Sequence, residues 1–119
     1  MNNTFGELVM MLFHSRTNAH LLHLQTNSYA MHKALEGYYD GVIDLVDSLV
    51  ETYQGIYGIY TEYPAAFRLE ADPIAMLTTI RNWIVANRQK VSPESNIQNS
   101  IDEIQSLIDS TLYKLRELS

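Results

Sequence analysis

An all-α fold, an up-down bundle of four helices, is predicted by three features of the 119-residue sequence. Apolar residues in every long segment recur at three- and four-residue steps. No segment alternates apolar and polar residues as a half-buried strand does. Short or moderate links with cap and turn residues join the helical segments, which makes antiparallel neighbours the default. The length suits one domain, residues 1–119, around a single core.

The first helix is expected over about residues 4–23, with Phe5, Leu8, Val9, Leu12, Phe13 and Leu21 on its apolar side. Gln25-Thr26-Asn27-Ser28 then supplies cap and turn chemistry. The second helix covers about residues 27–57 without a proline, and its apolar positions are Leu35, Tyr39, Val42, Ile43, Val46, Leu49, Val50 and Tyr53. Gly58 to Asp72, containing Pro64, is the long connection. Asp72 is placed to cap a third helix over 73–90, with Pro73 in its first turn. Ile74, Leu77, Ile80, Trp83 and Ile84 form its stripe, and Arg88 and Lys90 suit the negative end of its dipole. Ser92 and Pro93 repeat that start signal for a fourth helix over 93–118, where Ile97, Ile101, Ile104, Ile108, Leu112 and Leu115 step along one face.

Hydrophobic residues make up 46% and charged residues 18%, the balance of a globular chain and not of a disordered one. Leu8 to Phe13, the longest apolar run, is too short to span a bilayer and lacks the flanks of a signal peptide. The expectation is a cytoplasmic protein, or a virion-associated one if the source is viral. Without cysteine, thiolate metal sites and cysteine nucleophiles are excluded. A net charge of −6, with no Lys or Arg in the first fifteen residues, disfavours direct binding to nucleic acid or an anionic membrane. No nucleophile elbow and no Gly-rich phosphate loop is present.

The second helix carries His32, Glu36, Asp40, Asp44, Asp47 and Glu51, and beyond His32 only Lys33 is a cation. At 100° per residue, His32, Glu36, Asp47 and Glu51 fall at about 0°, 40°, 60° and 100°, on one face. Carboxylates without cationic partners repel one another, and a bound cation relieves that repulsion. A solvated charge stripe is the plainer use of such a ladder. His32 with Glu51, and Glu36 with Asp47, are each symmetric about the point between residues 41 and 42. An antiparallel crossing of this helix with a second copy would therefore bring each pair together and create two identical sites. Gly37 and Gly41 lie near that crossing and would let two backbones approach. Their other use is to admit a bulky neighbour from the same chain.

From Ala19 to Gly58 the chain resembles the core segment of the Dps-type miniferritins. In that family two histidines twelve residues apart are followed by carboxylates four, fifteen and nineteen residues after the second. His20, His32, Glu36, Asp47 and Glu51 reproduce those intervals. Leu21 and Gln25 stand where the family usually has tryptophan and glycine, and Glu36 where it commonly has aspartate. The features are also similar to small phage-encoded ferritin-like proteins. The resemblance implies a ferritin-like bundle and an iron site shared across a two-fold dimer. His20, His32 and Glu36 would come from one chain, and Asp47 and Glu51 from its mate. It further implies a ferroxidase that oxidises Fe(II) with peroxide or oxygen, in a homo-oligomer of at least two chains and up to a dodecamer.

His23, three residues after His20, is a candidate further ligand, and a hydrogen bond to carbonyls at the helix end is its plainer use. No Glu-x-x-His occurs, which argues against a di-iron centre inside one bundle. The alternative to the iron protein is a non-enzymatic structural or adaptor bundle, of viral origin if the phage likeness holds.

Overall fold

Four helices build the described chain: α1 (Asn3–Gln25), α2 (Tyr29–Tyr57), α3 (Pro73–Val91) and α4 (Ser95–Glu117). The structure is a computed structural model that describes residues 3–65 and 68–118. Residues 1, 2, 66, 67 and 119 of the expected domain lie outside the described residues.

Local chemistry starts two of the helices where the sequence places them. Ser28 Oγ accepts from Met31 N at 3.2 Å, closing one of the orphan amides of α2. Asp72 Oδ1 accepts from Ile74 N at 3.0 Å and Ala75 N at 3.3 Å ahead of α3. The start expected at Ser92 and Pro93 is corrected. Ser92 Oγ bonds the Tyr57 hydroxyl at 2.7 Å and accepts from Glu94 N at 3.1 Å. It ties the end of α2 to the α3–α4 turn, and α4 begins at Ser95 behind Glu94 with no side-chain cap.

All six expected positions on α4 are buried, as are Phe5, Leu8, Val9 and Leu12 on α1. On α2 Tyr53 is buried as expected, and Tyr38 takes the core place expected of Tyr39; Tyr38 is fully buried, and its hydroxyl lies 2.6 Å from Ser15 Oγ. Burial raises the Tyr38 phenol pKa far above the usual tyrosine range, and the Ser15 hydrogen bond opposes this only partly. Leu21, expected on the apolar side of α1, is exposed.

The up-down order is also corrected. α1 packs on α2 and α3, and α4 packs on the same two helices, so the four form a ring with α1 opposite α4. Leaving α2, the chain seats Tyr60 edge-on against Phe5, with ring centroids 5.0 Å apart. It then reaches Glu70, whose backbone N donates to Asn18 Oδ1 at 2.9 Å and whose carbonyl accepts from Asn18 Nδ2 at 2.8 Å. From Phe5 to Asn18 is about 20 Å along α1, and the ten steps from Tyr60 to Glu70 can span about 33 Å when extended. The connection therefore climbs the length of α1, and α3 starts at the far end, parallel to α2. The order is up, down, down, up, because the connection is long enough to cross over.

Candidate metal centre

The end of α1 and the start of α2 meet at a three-residue link, Thr26 to Ser28. His23, three residues before this link, and His32, four residues after it, are brought face to face. The rings of His23 and His32 stack with centroids 3.6 Å apart and planes 22° apart. His23 Nδ1 lies 2.8 Å from the His32 carbonyl, and His32 Nδ1 lies 3.0 Å from the His23 carbonyl. A carbonyl oxygen only accepts, so both Nδ1 atoms carry the proton and donate. The His23 carbonyl is among the last four of α1, which have no partner within the helix, and His32 satisfies it. His23 is buried, and His32 is half-buried.

That pairing has a chemical consequence. With each Nδ1–H committed to a carbonyl, the neutral rings present their Nε2 lone pairs, and an outer hydrogen bond of this kind orients metal-ligating histidines. Glu36, one turn after His32, joins them: His23, His32 and Glu36 each offer a ligand atom, all within 4.8 Å of one another. Glu36 also meets Lys33 Nζ at 3.3 Å in an exposed pair, an interaction worth little in water.

The other expected ligands fall elsewhere. His20 stacks on Tyr39 at 4.2 Å, and its ring centroid is 6.0 Å from that of His23, so it stands beside the donor set. Tyr39 also meets His23 edge-on at 5.2 Å. Partial burial and the negative charges of Asp40 and Glu36 raise the Tyr39 phenol pKa, against the pull of Arg16 and Lys33. Asp47 and Glu51 are exposed on α2, about 22 and 28 Å along its axis from His32. One chain cannot bring them to His32; only a second chain could. Gly41 faces its own chain, where an added Cβ would lie 3.3 Å from Leu107 Cδ2 of α4, while Gly37 has open space. The same-chain use accounts for Gly41. The one signal for His23 was its nearness to the link, within a turn of it as His32 is on the other side, whereas the stacking of His20 on Tyr39 had no sequence signal.

Comparison with known proteins places the chain. Residues 23–115 match a family described as a family of unknown function, DUF5856. The chain is also 32% identical over 111 residues to an uncharacterized 14.6 kDa protein from the mobD-ri intergenic region of Enterobacteria phage T4, covering 92% of this chain and 85% of that protein. No solved structure matches. The chain belongs to the DUF5856 family. This corrects the miniferritin resemblance, since neither the family nor the phage protein is described as ferritin-like. The physical reason is that His, Asp and Glu at three- and four-residue steps are what any acidic amphipathic helix offers. The residues that would have added specificity, at Leu21 and Gln25, departed from the pattern. The phage likeness has a counterpart in the T4 protein. Among the described residues no helix is long and apolar enough to cross a membrane.

Proposed function

We propose that this member of the DUF5856 family binds a divalent first-row transition-metal ion through His23, His32 and Glu36. The carrying observation is the reciprocal pair of Nδ1–H bonds, which leaves both Nε2 lone pairs uncommitted in a cluster where His23, His32 and Glu36 each offer a ligand atom within 4.8 Å of the others. Two imidazoles and a carboxylate are a nitrogen–oxygen set suited to zinc, iron, nickel or copper and poorly suited to calcium or magnesium. Three protein ligands leave at least one coordination position for water or another donor. An ion held there also links the last turn of α1 to the second turn of α2, so its binding energy adds to the hairpin.

Anaerobic titration of the purified protein with Fe(II) and, separately, Co(II) tests this reading, with the Co(II) visible spectrum reporting nitrogen ligation. One ion per chain, lost in His23→Ala, supports it. Absence of binding above the level of that variant would leave the His23–His32 pair as a hairpin staple and return the protein to the structural or adaptor reading.

A finer reading uses iron in a site shared by two chains. It is favoured by the exposure of Asp47 and Glu51 on the α2 face that also carries Glu36, without a cation on that helix beyond Lys33. An antiparallel two-fold crossing would set Glu51 of one chain near His32 of the other. Fe(II) held there would be the substrate, oxidised to Fe(III) as peroxide or oxygen is reduced. Light scattering at the mass of a dimer, two irons per dimer and weaker Fe(II) binding in Glu51→Ala are its required results. A monomer that binds iron unchanged by Glu51→Ala rejects the shared site and keeps the single-chain one.

A further inference from the structure

We propose that a second site, a cavity between α1, α3 and the α2–α3 connection, binds a small organic carboxylate with an apolar body. The cavity is about 300 Å³, at the lower end of the range for small-ligand sites. Its apolar wall is Met11 of α1 with Met76 and Ile80 of α3. Thioether side chains adapt to the outline of a guest, which suits an unbranched or aromatic body. The third wall exists because Asn18 clamps the backbone of Glu70 by both its amide atoms, holding the connection over the groove between the two helices.

The polar end of the ligand follows from the charges that line the cavity. Arg68 lines it, and among the described residues this guanidinium makes no hydrogen bond or ion pair. The carboxylate of Glu70 is turned back on its own chain, where Oε1 accepts from Asp72 N at 3.1 Å. His14 also lines the cavity, and its partial burial holds it below the usual histidine range, so near neutral pH it adds no charge. The lining thus presents one guanidinium free to meet a ligand, Arg68, while the Glu70 carboxylate is held on a backbone amide. A planar guanidinium matches a carboxylate with two parallel hydrogen bonds. This site is independent of the metal reading: it faces α3 from the middle of α1, whereas His23 faces α2 from the end of α1.

Hexanoate is the probe, with hexanamide as its uncharged counterpart of the same shape. The methionine methyl groups, five in the sequence, are labelled with ¹³C and followed by NMR during titration. Saturable shifts of the Met11 and Met76 methyls with hexanoate are expected. Binding should be weaker by roughly tenfold or more with hexanamide and in Arg68→Ala. Arg68 is exposed, so its replacement leaves the fold intact. Failure of hexanoate to shift those two methyls overturns the proposal, and so does equal affinity for hexanamide or for the Arg68→Ala protein. Shifts confined to Met10 or Met31 would put the ligand elsewhere and also overturn it.

Discussion

Replacing His32 separates the two jobs this residue is assigned, because its two ring nitrogens do different things. Nδ1 donates to the His23 carbonyl at 3.0 Å, and Nε2 is left for a metal ion. In His32→Asn the side-chain amide nitrogen takes the place of Nδ1 and keeps that hydrogen bond, while nothing replaces Nε2. In His32→Ala both are lost, together with the ring contact to His23 at 3.6 Å. Without metal, His32→Ala should lose about 1 kcal/mol for the hydrogen bond and about 1 kcal/mol for the stacked ring. His32→Asn should lose only the second. With metal at a hundred times its dissociation constant, the parent gains about 2.7 kcal/mol. For a chain of this length that raises the unfolding temperature by roughly 10 °C. Neither variant should show the rise. Thermal unfolding followed by circular dichroism, with Co(II) or Zn(II) and with chelator, gives all six temperatures. A parent curve unmoved by either metal, or an equal rise in His32→Asn, would refute the assignment of Nε2 as a ligand.

Three further outcomes test the surrounding structure. Gly6→Ala should destabilise by up to about 2 kcal/mol in urea unfolding. The helix gains about 1 kcal/mol from alanine, but the new Cβ would lie 2.6 Å from Tyr60 Oη and 2.9 Å from the Glu62 carbonyl, and such overpacking costs about 1–3 kcal/mol. A stabilised variant would mean that the connection does not sit on α1 as described. Gly37→Ala meets nothing within 4 Å and should stabilise the chain by about 1 kcal/mol; if two chains instead cross closely there, light scattering will show the assembly weakened. Tyr38, whose phenol is held protonated by burial, makes stability complete below about pH 10 and lost as pH rises beyond it. The unfolded phenol ionises at its ordinary value while the folded one resists, so the unfolded state binds fewer protons. Alkaline unfolding curves should be flatter for Tyr38→Phe than for the parent, and identical pH slopes would place the hydroxyl in contact with water.

Short-range chemistry was legible at the starts of α2 and α3, though not at that of α4. Asp72 and Pro73 start α3 because a cap and a pre-set backbone act within one turn, and the six-residue stripe from Ile97 to Leu115 is buried because its period repeats through the helix. His32 and Glu36 were readable as neighbours for the same reason, since they are one helical turn apart. The sequence alone therefore determined that four helices form, nearly where each lies, and which side of α4 enters the core. It did not determine the direction of α3. That depended on where the connection docks, with Tyr60 on Phe5 and Glu70 on Asn18, contacts between residues far apart in sequence. Tertiary packing likewise chose Tyr38 over Tyr39 for the core, put Gly41 against Leu107, and joined His23 instead of His20 to His32 and Glu36. Periodicity fixes positions around one helix axis, to within a turn. Which neighbour each position meets is set by how the helices turn against one another, and that is decided by the whole core at once.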